Sequence, residues 1–111
     1  MEIINTPFEG LFVLQTNAFK DERGCFQKLF SYDIFKEHGL DTNFREFYYS
    51  VNKKNVIRGM HFQTPPADHT KVVYVSAGRI KDVVLDIRKN SLTYGEHYSV
   101  ELSAEDGKYL F

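Results

Sequence analysis

Hydrophobic positions along the chain recur mostly at a spacing of two, the period of a β-strand. Tyr98, Val100 and Leu102 alternate with His97, Ser99 and Glu101, which predicts a strand with one buried face. Residues 11–15 form a short apolar run that also reads as a strand. Residues 25–30 place Phe26, Lys28 and Phe30 on one side. Residues 44–51 (F-R-E-F-Y-Y-S-V) and 56–63 predict two more strands, separated by the polar turn Asn52-Lys53-Lys54-Asn55. The run K-V-V-Y-V from Lys71 predicts a strand covered on both faces. It meets a second strand around Ala77-Gly78-Arg79, on which Val83, Leu85 and Ile87 share a face. Tyr109-Leu110-Phe111 begins a last one. The chain ends inside that apolar run, which predicts that it is part of a longer protein.

One stretch has the helical period. Ser31 is placed as an N-cap, Asp33 lies in the first turn, and Ile34, Phe35 and His38 recur at helical spacing. Gly39 is positioned to end the helix in the left-handed conformation. His38 reads as a surface residue near that end. About seven or eight short strands, frequent turn signals and one small helix predict an all-β sandwich or barrel.

Composition narrows the function classes. At 111 residues the chain is one domain, 1–111, able to bury a modest core. A formal net charge of −1 gives no sign of nucleic acid or an anionic membrane as partner. No apolar run approaches membrane-spanning length, so the default location is the cytoplasm. The single Cys25 can form no internal disulfide and is too little for a thiolate zinc site. It reads as a small buried or half-buried hydrophobe.

The chemistry concentrates between Val56 and Lys71, V-I-R-G-M-H-F-Q-T-P-P-A-D-H-T-K. A guanidinium (Arg58), an imidazole (His61), an amide (Gln63) and an ammonium (Lys71) lie around a break at Pro65-Pro66. Three chemistries are open. A metal site would use His61, but Gln63 stands where a second histidine ligand would, and His69 lies across the proline pair. Nucleophilic catalysis would need Cys25 or a serine beside a base, and none is adjacent in sequence. Proton transfer suits the residue types best. His61 can take a proton from carbon beside a ketone, Lys71 can stabilise the enolate oxygen, and Arg58 or Arg23 can clamp a phosphate. The structural alternative is a strand histidine with no catalytic part. Arg58 and His61 have opposite parity on a regular strand, so a shared pocket requires a bulge near Gly59.

At R-G-M-H-F-Q the sequence resembles the dTDP-4-dehydrorhamnose 3,5-epimerase family. D-E-R-G-C-F at 21–26 resembles its D-x-R-G-x-F, and R-G-M-H-F-Q-T-P-P-A at 58–67 resembles its R-G-L-H-Y-Q-x-P-x-x. D-V-V-L-D-I-R-K-N-S-L-T-Y-G at 82–95 resembles its D-V-x-V-D-I-R-x-G-S-P-T-Y-G. The resemblance implies a cupin-like double-stranded β-helix (jelly roll), here truncated at the C-terminus. It implies an enzyme that uses no metal or other cofactor. It also implies a homodimer, with the short N-terminal strand pairing across subunits. The implied activity is epimerisation at C3 and C5 of a nucleotide-linked 4-keto-6-deoxy sugar, for rhamnose and cell-surface polysaccharide synthesis. By the same resemblance His61 is the base, Lys71 stabilises the C4 enolate, and Arg23, Phe26, Arg58 and Gln63 contact the substrate.

Some positions depart from that pattern. Lys28 stands where the family usually has a substrate-binding glutamate, Glu46-Phe47-Tyr48 where it usually begins Q-x-N, and Leu92 where proline is common. The first two point to a different base or a different sugar. The family's tyrosine acid, its second histidine and the aspartate that orients the base fall beyond the equivalent of Phe111. The rival reading is a non-catalytic cupin module that binds a nucleotide sugar.

Overall fold

A computed structural model describes all residues, 1–111. The elements are β1 (Glu2–Asn5), β2 (Phe12–Gln15), β3 (Phe19–Asp21), β4 (Gly24–Phe26), α1 (Tyr32–Glu37), β5 (Val73–Tyr74), β6 (Arg79–Leu85), β7 (His97–Ser103) and β8 (Lys108–Leu110). The chain divides into two units, one of Met1–Ser31 with Lys71–Phe111, the other of Tyr32–Thr70. No helix is long and apolar enough to cross a membrane.

In the first unit a four-stranded antiparallel sheet runs β1-β2-β8-β5. Its register sets Val13, Leu110 and Val73 side by side across three strands, and Leu14, Tyr109 and Tyr74 on the opposite face. Both faces are covered, as the near-continuous apolar character of β2 and β8 requires. Val13 and Leu110 pack with Leu102, and around them lie Val84, Tyr98 and Val100 from the β6–β7 hairpin. The alternation read along residues 97–102 therefore holds, with Leu102 wholly buried. The sheet's interior strand β8 is the apolar run at the end of the chain. Beyond the ladder, Phe12 and Phe111 exchange backbone hydrogen bonds at 2.8 and 2.9 Å.

Several expected elements differ. β1 was not legible, because E-I-I-N is too short to show a period. It pairs along one edge with β2 of the same chain. The strand from Lys71 shrinks to Val73–Tyr74 and pairs with β8, whereas β6 pairs with β7 through seven residue pairs. The two do not form a hairpin: residues 76–78 bend between them, and β5 and β6 lie in different sheets. Val83, Leu85 and Ile87 do share a side, but it is the exposed one. β4 stops at Phe26, so residues 27–30 are not strand, and Cys25 is exposed rather than buried.

In the second unit α1 ends as the sequence predicts. Gly39 has φ +69°, its N–H donates to Lys36 O at 3.1 Å, and Leu40 N–H donates to Phe35 O at 2.9 Å. This pair of bonds satisfies two terminal carbonyls, and Phe35 and Leu40 at either side of it are both buried. Phe35 meets Phe44 edge-on, with ring centroids 6.3 Å apart.

The strands expected at 44–51 and 56–63 are absent, since no strand lies between α1 and β5. Strand propensity describes a side chain's fit to a pleated, half-buried surface. Here Phe47, Tyr48, Tyr49, Val51, Ile57 and Phe62 are exposed, and no neighbouring strand completes a ladder with them.

Candidate functional site

The sequence D-E-R-G builds a two-residue turn between β3 and β4, with Asp21 directly opposite Gly24. The Asp21 carboxylate accepts the Arg23 backbone N–H at 2.8 Å, an Asx-type bond that fixes the turn. It also accepts Arg23 Nε at 3.2 Å and Nη2 at 2.6 Å. Each partner favours the other's charged form: the Arg23 hydrogen bonds hold the Asp21 carboxyl below its ordinary value, and Asp21 raises Arg23. The Arg23 side chain is 85% exposed. Phe26 lies directly across the hairpin from Phe19, both rings exposed.

Lys71 is exposed two residues before β5. Its charge reaches Asp82 on β6, a half-buried carboxylate. Burial raises the Asp82 carboxyl above its ordinary value; the Val83 backbone bond and then Lys71 oppose that rise. Sequence reading did not pair these residues, because eleven positions and a change of strand partner separate them.

In the second unit Arg58 Nε donates to Asn52 Oδ1 at 2.6 Å. The strand bulge near Gly59 that a shared pocket for Arg58 and His61 would require is not formed, although Gly59 has φ +109°, a conformation L side chains rarely adopt. Gly59 lies in irregular chain outside any strand, where there is no ladder for a bulge to interrupt. His61 and Gln63 follow, both exposed. The expected interruption at the prolines is a turn closed by Ala67 N–H donating to Thr64 O at 2.9 Å. Of the six predicted residues, Arg23, Phe26 and Lys71 belong to the first unit, and Arg58, His61 and Gln63 to the second. No three His, Cys, Asp or Glu side chains gather as a group fit to hold a metal. A cavity of about 110 Å³ in the first unit, bordered by Gln27, Tyr74, Ser103 and Lys108 among others, is lined by none of the six.

The motif around D-I-R has a separate, structural meaning. Asp86 is buried just after β6. Its carboxylate accepts Arg88 N–H at 3.0 Å, Nε at 2.9 Å and Nη2 at 2.8 Å, Ser91 Oγ at 2.6 Å and Thr93 Oγ1 at 2.8 Å. Those donors hold it far below the ordinary carboxylate range, Arg88 most of all. The main chain joins in, with Asp86 N–H donating to Glu96 O and Gly95 N–H to Asp86 O. One carboxylate therefore organises the whole loop from β6 to β7.

Residues 5–111 match the family model of dTDP-4-dehydrorhamnose 3,5-epimerase. The chain belongs to that family. A dTDP-4-dehydrorhamnose 3,5-epimerase of Methanothermobacter thermautotrophicus is 40% identical over 108 residues, covering 97% of this chain and 58% of that protein. The fold matches the crystal structure of the Bacillus anthracis enzyme with TDP and PPi bound. The TM-score is 0.92 at 32% identity, over 98% of this chain and 63% of that one. It also matches the Legionella pneumophila enzyme in complex with dTDP-4-keto-L-rhamnose, with a TM-score of 0.89 at 35% identity, over 98% of this chain and 58% of that one. The chain spans about three fifths of the length of these relatives. Its all-β fold with one short helix is thus the cupin-like fold of these epimerases.

Proposed function

We propose that the protein epimerises a nucleotide-linked 4-keto-6-deoxy sugar at C3 and C5. The carrying observation is the family match across residues 5–111, with Arg23, Arg58 and His61 standing in the motifs that resemble the family's and Lys71 four residues after the second of them. His61 removes the proton at C3, which the neighbouring C4 ketone acidifies. The C–H electron pair moves into the enolate, whose oxygen the Lys71 ammonium stabilises. A proton delivered to the opposite face inverts the carbon and restores the ketone, and the same cycle repeats at C5. Arg23 and Arg58 hold the phosphates, with Phe26 and Gln63 against the substrate. The protein acts as a cytoplasmic homodimer in rhamnose and cell-surface polysaccharide synthesis and takes no metal.

The test is solvent exchange. The full-length protein is incubated with dTDP-4-keto-6-deoxyglucose in deuterium oxide and the sugar is weighed by mass spectrometry. Two deuterons gained is the expected result, and one would restrict the reaction to a single carbon. Binding without any exchange would replace the enzyme reading by that of a nucleotide-sugar-binding module. Lys28 and Glu46-Phe47-Tyr48 favour a second substrate reading, with another base or another 4-keto sugar. An enzyme that exchanges deuterium only into such an alternative would support that reading.

A further inference from the structure

The Asp-x-Arg clamp occurs twice in this chain. In Asp86-Ile87-Arg88 the carboxylate takes the backbone N–H at 3.0 Å, Nε at 2.9 Å and Nη2 at 2.8 Å. In Asp21-Glu22-Arg23 the same three donors reach the same acceptor group at 2.8, 3.2 and 2.6 Å. The two clamps differ in their surroundings. The clamp on the buried Asp86 is closed: Ser91 and Thr93 fill the remaining carboxylate positions, and the half-exposed Arg88 donates through Nη1 across the fold to Glu9 O at 2.7 Å. The exposed clamp is open. Its arginine and aspartate side chains are 85% and 50% accessible, and Arg23 Nη1 takes no acceptor of this chain.

We infer that Asp21 is a positioning residue: it fixes the Arg23 guanidinium by Nε and Nη2 and leaves Nη1 as the donor for a substrate phosphate oxygen. This rests on the reading of Arg23 as a substrate-binding arginine. The closed clamp demonstrates the principle, because there the same nitrogen, held in the same way, finds an oxygen. Asp21 offsets part of the guanidinium's charge, so the benefit is geometric. A long flexible side chain is ordered before the ligand arrives and need not be ordered by it. A purely structural ion pair this exposed contributes little to folding. A role confined to the turn therefore predicts no change in affinity.

The experiment uses full-length enzyme and five proteins: the parent, Asp21→Asn, Asp21→Glu, Arg23→Ala and the double variant Asp21→Asn with Arg23→Ala. KM and kcat are measured with the sugar nucleotide, and Kd for thymidine diphosphate by calorimetry. Asp21→Asn should raise KM and Kd roughly two- to tenfold, the ordering of one long side chain, with kcat nearly unchanged. Asp21→Glu should recover part of the loss. In the Arg23→Ala background, Asp21→Asn should do nothing further. If Arg23→Ala weakens binding but Asp21→Asn does not, Asp21 does not position it. If Asp21→Asn costs the same in both backgrounds, it acts by another route and the inference is overturned. If Arg23→Ala itself leaves KM and Kd unchanged, the substrate-binding reading of Arg23 fails, and the inference fails with it.

Discussion

Tyr109 donates its phenol hydrogen to the carbonyl of Leu29, at 2.6 Å and across 80 positions of sequence. The ring is wholly buried between the strands that carry Leu14 and Tyr74. This one bond ties an interior strand of the main sheet to the segment that follows the Asp21–Arg23 hairpin.

Tyr109→Phe keeps the ring and removes the donor, leaving a carbonyl without its partner. The expected loss is about 1–3 kcal/mol in urea unfolding. The pH dependence gives a second check. Burial pushes the phenol up to about 12, against 10.0 in the unfolded chain. Between those values the unfolded chain releases a proton that the folded one keeps. The stability Tyr109 confers is full below pH 10 and declines toward pH 12 by on the order of 2 kcal/mol. The parent should lose stability over that window faster than Tyr109→Phe; parallel curves would mean the phenol is not buried in solution.

Asp86 titrates in the opposite sense. Its carboxylate is stabilised in the fold, so its contribution is full above the unfolded value of 3.8 and is lost as pH falls below it. Asp86→Asn should lower the melting temperature by several degrees at pH 7 by dissolving the bonds to Arg88, Ser91 and Thr93. The gap between parent and variant should narrow from pH 5 to pH 2, as followed by circular dichroism. A constant gap would mean the loop is not held by charge.

Two glycines provide a controlled pair. Gly10 and Gly107 have φ of +79° and +70°, but a Cβ at Gly10 meets nothing within 4 Å, whereas at Gly107 it would lie 2.7 Å from Thr16 O. That carbonyl sits where Thr16 N–H and Oγ1 both donate to Gly107 O. Gly10→Ala should cost about 1–2 kcal/mol from backbone strain alone. Gly107→Ala should cost about 1–3 kcal/mol more, because it also overpacks a hydrogen-bonded crossing. Equal losses in chemical denaturation would show that the crossing relaxes freely.

His61 is exposed, so His61→Ala should leave the melting temperature within about 1 °C of the parent, as expected of surface substitutions. Deuterium exchange into the 4-keto sugar should fall by about two to four orders of magnitude, the range of a lost general base. Unchanged exchange in the folded variant would remove His61 from the mechanism.

The local features were legible because neighbouring residues decide them. Gly39 stops α1 through the only conformation that satisfies Lys36 O and Phe35 O from the next two amides. The alternation of Tyr98, Val100 and Leu102 follows from a strand with one buried face. The candidate residues Arg23, Arg58 and His61 were found by motif, and Lys71 by its type beside the proline break, since type and spacing are properties of the sequence. Asp86 was read only as part of a signature; its Arg, Ser and Thr at two, five and seven positions on were the available signal of a ligated carboxylate.

By itself the sequence determined the helix and its end, the turns at 22–23 and 65–66, the alternation along 97–102 and the residue types of the candidate chemistry. All of these depend on bonds and sterics within a few residues. Tertiary structure decided which strand pairs with which: β5 with β8, not β6, and no strand at residues 44–51 or 56–63. Strand propensity makes a segment able to pair, but its hydrogen bonds lie with another strand, and only the folded chain brings that strand alongside.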